Sequence, residues 1–197
     1  MGEDTSALKK RIEELEEMYR FTQSLSSVMN VYETIEAVAE SCLKLCHADR
    51  SAILLIGETS EDEDPTITVV RSTARLEHEI DHRINSMVVG WIEHHKKPLL
   101  SDDILETLNI KNPSPDLQQL GSALAVPLVA DDKVVGVINL VNSRGGALFS
   151  QDSLRIVNLL APLAARFIIK AKTQESLFKA NEKLTAALRQ HPGMDHL

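Results

Sequence analysis

The sequence is poor in aromatic residues, carries no excess of positive charge and has no long apolar run. Aromatic residues make up 4% of its 197 residues, and tryptophan occurs once, whereas proteins that bind single-stranded nucleic acid stack bases on aromatic side chains. The formal net charge of -8 would repel a phosphate backbone. No segment reaches the roughly 20 consecutive apolar residues that span a bilayer. We therefore expect neither a nucleic acid nor a membrane as a partner.

Cysteine is also scarce. The only two cysteines, Cys42 and Cys46, lie four residues apart in a segment with a helical pattern, so they share a helix face and do not form a disulfide framework. The same face carries Val38 and Ala39, which favours buried core cysteines over a redox or metal site. The N-terminal residues are a run of alternating charges without the apolar region of a signal peptide. These features predict a cytoplasmic protein.

Both ends of the chain have the pattern of a helix with a narrow apolar seam. Apolar residues recur every three or four positions, first between residues 6 and 29 and again from Leu160 onward, where only the seam is apolar after Gln174. Residues 3–30 carry a net charge of -2 and residues 150–190 a net charge of +4, which favours pairing of the two helices. We expect a homodimer. The predicted interface residues are Leu8, Ile12, Leu15, Tyr19, Leu177, Asn181, Leu184 and Leu188.

The region after the first helix is typical of a helix followed by two paired strands. Asn30 is a suitable helix N-cap. The apolar run at 51–57 and the β-branched run at 66–70 predict neighbouring strands. The acidic stretch 58–65 between them is interpreted as a hairpin loop rather than a cation site, because it lacks the glycine and ligand spacing of a calcium loop.

The second half predicts a helix, a long hairpin and a final helix. The helix is expected at 85–96, and two apolar strands at 123–130 and 134–141 flank the polar turn 131–133. Ser150 is the expected N-cap of the last helix. We divide the chain into an N-terminal helix (1–30), a central domain (31–169), a coiled-coil extension (170–190) and a tail (191–197).

Four stretches of the central domain resemble the GAF domain family. They are Ala48-Asp49-Arg50-Ser51-Ala52-Ile53-Leu54-Leu55, then Val89-Gly90-Trp91-Ile92 with Lys97-Pro98-Leu99-Leu100-Ser101-Asp102, then Gly121-Ser122-Ala123-Leu124-Ala125-Val126-Pro127-Leu128, and finally Val135-Gly136-Val137-Ile138-Asn139-Leu140-Val141-Asn142. The resemblance implies an α+β fold with a central antiparallel sheet flanked by helices. It also implies a ligand pocket on one face of the sheet, roofed by the irregular segment 74–121. The long terminal helices would form a dimeric bundle.

The last hairpin is also similar to the signature of GAF domains in cyclic-nucleotide phosphodiesterases and adenylyl cyclases. Asn142, Phe149 and Asp152 match that signature. Ser143 and Ser153 stand where the signature has lysine and glutamate. The resemblance implies a cyclic nucleotide or another small metabolite as the ligand class. The missing lysine leaves Asp152 as a carboxylate at a helix N-terminus without its ion-pair partner, which counts against a cyclic nucleotide, and no cofactor is assigned.

Asn139 is the main candidate for a ligand-binding residue because it is polar within an apolar strand. On the alternation of a strand it shares a face with Val135, Val137 and Val141, and a buried amide needs a hydrogen-bond partner. A backbone or water partner would satisfy it equally well. The further candidates, from the second strand's end, the predicted roof and the third resembling stretch, are Arg75, Met87, Val88, Val89, Trp91 and Ser122.

No motif of a catalytic or metal site is present. His94 and His95 are adjacent, so they point about 100° apart on a helix and do not converge on one ion. His78 and His82 are better spaced but lack a third ligand nearby. We therefore predict a non-enzymatic signal-transduction sensory domain that relays its state through dimeric helices to a downstream output domain or protein. The alternatives are a ligand-free dimerisation or protein-interaction module and a GAF-like methionine sulfoxide reductase, which would need reactive cysteines.

Overall fold

The computed structural model describes residues 2–26, 30–56, 66–72 and 78–190. The helices are α1 (Gly2–Ser26), α2 (Val31–Leu45), α3 (His78–His95), α4 (Ile104–Thr107) and α5 (Gln151–Gln190), with a short 3-10 helix at Leu117–Gln119. The strands are β1 (Arg50–Ile56), β2 (Thr66–Ser72), β3 (Leu99–Ser101), β4 (Leu120–Ala130) and β5 (Lys133–Ser143). None of the helices in these ranges combines the length and the hydropathy of a membrane-spanning segment.

The five strands form one antiparallel sheet in the order β2-β1-β5-β4-β3. Alternate residues of the central strands enter two separate apolar clusters because successive side chains of a strand point to opposite faces. One face packs against α1, α2 and α5, as with Ile53 of β1 and Ile138 of β5. The other face packs against α3 and α4, as with Leu54 of β1 and Val137 of β5. The predicted α+β architecture, an antiparallel sheet flanked by helices, is confirmed.

The hairpin between β4 and β5 closes through a two-residue turn. Asp131 and Asp132 have φ values of 48° and 61°, and two consecutive positive values are typical of the type I′ turn that matches the twist of the flanking strands. Aspartate accepts this conformation better than most residues because its short side chain bonds locally. The two strands extend beyond the predicted hairpin, since β4 begins at Leu120 and β5 continues to Ser143.

Three details of the sequence prediction need correction. Helix α3 begins at His78, seven residues before the predicted start. Val135 packs against the α2 and α5 side of the sheet and not with Asn139, because the pairing of β4 with β5 shifts register between Leu128 and Val129. Helix α1 begins at Gly2, four residues before the predicted start, and its predicted end at residues 27–29 lies outside the described residues. The predicted acidic loop at 58–65 and the tail at 191–197 lie outside the described residues.

Gly136 allows β1 and β5 to approach closely. A β-carbon at this position would lie 2.5 Å from the Leu54 carbonyl oxygen and 3.2 Å from Cδ1 of Leu128. A side chain here would therefore force apart the strand pair that carries the residues described next.

Candidate functional site

Helix α3 covers one face of the sheet through a row of apolar residues. Ile84, Val88 and Ile92 recur every four positions and are buried, which is the spacing of one helix face. They belong to the same cluster as Ala52 of β1 and Val141 of β5. This packing fixes the neighbouring position, Asn85, against the centre of the sheet.

Asn85 and Asn139 form a buried polar pair within this apolar layer. They are only 5% and 2% exposed, and Nδ2 of Asn139 donates a hydrogen bond of 2.7 Å to Oδ1 of Asn85. The remaining amide atoms, Nδ2 of Asn85 and Oδ1 of Asn139, have no hydrogen-bond partner among the described residues. One donor and one acceptor therefore remain available beneath α3.

A small cavity lies beside this pair. Its volume is about 20 Å³, and its described lining consists of Arg50, Ala52, Ile84, Asn85, Leu120, Asn139 and Val141. A cavity of 10–15 Å³ or more holds one water molecule, so this one accommodates a water but not a nucleotide in this conformation. A larger ligand requires α3 to move away from the sheet.

Arg50 places a charged side chain at the cavity. It is the first residue of β1, lies opposite Val141 of β5 and is only 4% exposed. It is the only charged residue in the described lining.

Asn139 lines the small cavity, whereas the other ligand-binding candidates are not among its described lining residues. Val88 is buried in the apolar cluster, while Met87, Val89 and Trp91 are half-buried and do not belong to the described lining. The ring of Trp91 stacks on His95 with centroids 4.1 Å apart. Arg75 lies outside the described residues. These four α3 residues and Arg75 therefore stay predictions.

The Ser122 side chain makes a hydrogen bond that stabilises the fold. Its hydroxyl donates to the Ala147 carbonyl at 2.9 Å, on the loop between β5 and α5. The same carbonyl accepts a 2.9 Å bond from Nδ2 of Asn142, and Oδ1 of Asn142 accepts from the backbone N–H of Asp49 at 2.8 Å. Asn142 thus ties the ends of β1 and β5 to the loop that leads to α5.

The other signature positions also stabilise the start of α5. Phe149 is buried in the cluster formed by α2 and α5. The Ser150 hydroxyl accepts a hydrogen bond from the Ser153 backbone N–H at 3.2 Å, and the Ser153 hydroxyl accepts one from the Ser150 N–H at 3.3 Å. This reciprocal cap resembles a capping box, so Ser153 serves where the signature has glutamate. Asp152 lies 3.5 Å from Nη2 of Arg155.

Asn85 and Arg50 are the site residues that sequence reasoning missed as ligand candidates. Asn85 stands at an i+1 position to the apolar row of α3, and Arg50 precedes an apolar strand, where a surface position is the usual expectation. The sequence marks them only as polar residues next to a run of buried apolar residues. Such residues are common at the edges of helix faces, so this pattern does not single them out. Asn85 meets Asn139 through the packing of α3 on the sheet, and Arg50 reaches the same cavity because β1 pairs with β5.

The two cysteines lie on the opposite side of the sheet. Cys42 and Cys46 are buried with α2 in the cluster shared with α5. Burial, and to a lesser degree the neighbouring Cys46, raises the pKa of the Cys42 thiol well above its ordinary range. In the described part of the chain, no three His, Cys, Asp or Glu side chains are placed to hold a metal ion.

The predicted interface residues are exposed wherever their side chains are described. Leu8, Ile12, Leu15 and Tyr19 of α1 are exposed, and so are Leu177, Asn181 and Leu184 of α5. Phe178, which the seam did not include, is exposed by 66%. The side chain of Leu188 lies outside the described residues.

Comparison with known proteins agrees with this architecture. The family model of the GAF domain matches residues 28–168. No curated protein matches the chain. One similar solved structure is the GAF domain of a phosphoenolpyruvate-protein phosphotransferase from Acinetobacter (TM-score 0.63, 16% identity, covering 83% of this chain and 98% of that one). Another is the GAF domain of a phosphoenolpyruvate-protein phosphotransferase from Coxiella burnetii (TM-score 0.61, 13% identity, covering 84% of this chain and 98% of that one). A third is the GAF-B domain of DevS from Mycobacterium smegmatis (TM-score 0.54, 20% identity, covering 75% of this chain and 99% of that one).

At these identities the structural matches show a shared fold. The family model covers most of the chain, including the sheet, α3 and the first half of α5. The chain therefore belongs to the GAF domain family, a family of sensory and regulatory domains.

Proposed function

We propose that this chain is a cytoplasmic sensory domain that binds a small molecule beneath α3 and relays its state through α1 and α5 in a homodimer. The observation that carries the proposal is the buried Asn85–Asn139 pair, which keeps one donor and one acceptor in an otherwise apolar layer. Each such atom costs about 1–3 kcal/mol when it is dry and unpaired. A ligand that bonds to these two atoms would explain why the pair is kept despite this cost.

A short path connects the polar pair to α5. Asn139 is followed on β5 by Asn142, whose amide holds the Ala147 carbonyl of the loop before α5. A ligand that displaced β5 or α3 would therefore change the position of the first turn of α5. Signal transmission requires that the ligand bind two arrangements of these elements with different affinities.

The far half of α5 supports a second copy of the chain as the partner. Its exposed apolar residues include Leu177 and Leu184, and a surface groove of about 530 Å³ borders Leu177, Phe178 and Asn181. A helix with only a narrow apolar seam is stable when another helix covers that seam. The opposite charge balance of the two terminal segments, -2 for residues 3–30 and +4 for residues 150–190, favours their association between copies.

Substitution of one seam residue tests the dimer. Sedimentation velocity of the full chain should show a dimer, and Leu184→Asp should weaken it at least tenfold, because a buried carboxylate in the seam would be desolvated. Ala186→Asp is the matched control, since it lies about 160° around the helix from Leu184 and is also exposed. An unchanged dimer in the Leu184→Asp protein would contradict the assigned interface.

Ligand binding is tested separately by native mass spectrometry of the purified protein and by thermal-shift screening against nucleotides and metabolites. A hit should raise the melting temperature of the wild type and of Ala186→Asp, but not of Asn139→Leu. Cyclic nucleotides belong in this screen, although Ser143 replaces the lysine of the signature. The partner that reads the signal would be a downstream output domain or protein.

The small cavity favours one alternative, a ligand-free dimerisation or protein-interaction module. At about 20 Å³ the space beneath α3 is closed to metabolites in this conformation. That alternative predicts a dimer in sedimentation and no stabilisation by any compound in the screen. A sulfoxide reductase is disfavoured because the two buried cysteines face away from the cavity, and we propose no catalytic activity for the chain.

A further inference from the structure

We infer that the second half of α5 lies in a four-helix bundle made of α1 and α5 from two copies of the chain, and not in a two-stranded coiled coil of the two α5 helices. The inference rests on the proposed homodimer and specifies which helices of the second copy cover α5. It is carried by the distribution of charge around α5, by the exposure of its uncharged side and by the matching seam of α1.

The charged residues in the second half of α5 all lie on one side of the helix. At 100° per residue, the charged residues between positions 171 and 190 fall within about 120° of the helix circumference. They are Lys172, Glu175, Lys179, Glu182, Lys183 and Arg189. The opposite half of the circumference carries no charge, and we call it the uncharged face of α5. It consists of Thr173, Gln174, Leu177, Phe178, Ala180, Asn181, Leu184, Thr185, Ala187 and Leu188.

The uncharged face is wider than the seam of a two-stranded coiled coil. In such a coil the positions that flank the seam are often glutamate and lysine, which remain in contact with water. The corresponding positions of α5 hold Phe178 and Thr185 on one side of the seam and Ala180 on the other. A helix that faces the core of a bundle has a broader uncharged face, which includes flanking positions. The flanks of α5 therefore favour contact with two neighbouring helices rather than one.

The uncharged face is open in a single copy of the chain. Every one of its side chains that the structure describes is exposed, and Phe178 is exposed by 66%. Surface grooves of about 530 Å³ and 500 Å³ both border Phe178 and Asn181. The Thr185 hydroxyl donates a hydrogen bond of 2.8 Å to the Asn181 backbone carbonyl, so burial of this flank would not leave that donor unpaired. The face is thus suited to burial against other helices.

Helix α1 has a seam of the same length as α5. Its residues Leu8, Ile12, Leu15 and Tyr19 are exposed and follow one another at intervals of four, three and four positions. The seam of α5 from Leu177 to Leu188 has the same intervals, so each seam is about 17 Å long at 1.5 Å per residue. The two seams can therefore lie side by side over their whole length.

The end of α1 lies next to the start of the uncharged face. The backbone N–H of Val31, five residues after the end of α1, donates a hydrogen bond of 3.0 Å to Oε1 of Glu175. Every described side chain of α1 before Met18 is exposed, so this part of α1 extends beyond the apolar core, as the second half of α5 does. A second copy that brings its α5 to this face therefore also brings its α1.

Charge favours the inclusion of α1. Two α5 helices alone would bring together two segments that each carry +4 over residues 150–190. The segment 3–30, which contains α1, carries -2, so one α1 beside each α5 lowers this repulsion.

Sedimentation velocity of the full chain tests the arrangement with one aspartate at a time. Ala180→Asp and Thr185→Asp each charge one flank of the α5 seam, and Ile12→Asp charges the seam of α1. All three positions are exposed in a single copy, so the variants should fold, which circular dichroism verifies. A four-helix bundle buries all three positions, and each variant should weaken the dimer at least about tenfold because the carboxylate would be desolvated. Ala186→Asp, the same substitution on the charged side of α5, should leave the dimer unchanged.

The outcomes separate this inference from the proposed homodimer. If Leu184→Asp weakens the dimer but Ala180→Asp and Thr185→Asp do not, α5 forms a two-stranded coil, and the bundle is refuted while the homodimer stands. If the flank variants weaken the dimer but Ile12→Asp does not, or if the wild type is a tetramer, a helix other than α1 covers α5 and the inference fails. A monomeric wild type would overturn both the bundle and the homodimer.

Discussion

Replacement of the buried amide pair by leucines should make the domain more stable. Asn85 and Asn139 share one hydrogen bond, and two of their amide atoms lack a described partner. The double variant Asn85→Leu/Asn139→Leu removes all of these polar atoms and keeps the side chains close to their original size. Replacement of both partners of a buried bond by apolar groups of similar shape is neutral or stabilising, and we expect a gain of about 1–2 kcal/mol.

The single variants should behave in the opposite way. Asn139→Leu leaves the whole amide of Asn85 buried without its partner, and Asn85→Leu does the same to Asn139. Each should lower the free energy of unfolding by about 1–3 kcal/mol, which is the cost of an unsatisfied buried polar group. The double-mutant cycle should therefore show a coupling of about 3 kcal/mol or more.

Urea unfolding followed by circular dichroism measures these values, and each kcal/mol corresponds to about 2–4 °C in melting temperature for a chain of this size. Asn142→Leu is the control, because both ends of this amide on β5 are bonded. That variant should lose about 2 kcal/mol or more, and no second substitution of Asn85 should restore it. A double variant Asn85→Leu/Asn139→Leu that is as unstable as the sum of its singles would refute the reasoning. The polar pair would then be structural and not retained for a ligand.

Two other predictions concern the fold. Asp132→Gly should raise the free energy of unfolding by about 0.5–1 kcal/mol, because glycine adopts the positive φ of 61° without strain. The same change at Asp116, whose φ is -70°, should not stabilise the protein. A lower free energy of unfolding for Asp132→Gly in urea would disprove the turn assignment. Burial raises the pKa of the Cys42 thiol, so this thiol keeps its proton in the folded state, whereas in the unfolded chain it ionises above about pH 8.5. The free energy of unfolding should therefore fall as pH rises beyond that value, by up to about 1.4 kcal/mol per pH unit. Cys42→Ala should remove this slope between pH 9 and 10, and an identical slope in both proteins would show that another group is responsible.

Sequence patterns determined the elements whose physics is local. The cap at Asn30 and the hairpin around Asp131 and Asp132 depend on residues that lie next to one another, and the structure confirms both. The exposed seam of α5 follows from a helical period, and the exposure of Leu177 and Leu184 agrees with it. Local rules were less effective at α3, where the helix starts seven residues earlier than its apolar row suggests, since a helix extends as far as its backbone can be bonded.

The candidate site was decided by tertiary structure. Asn139 was recognisable because an amide is unusual among valines in a strand, but its partner lies 54 positions earlier in the chain. Arg50 reaches the same cavity only because β1 pairs with β5 in a register that sets Arg50 opposite Val141. Ser122 and Asn142 are polar residues that do not line the cavity. Their side chains donate hydrogen bonds to the Ala147 carbonyl instead. A polar residue's role depends on which groups converge on it, and that convergence is a property of strand register and helix packing rather than of any local pattern.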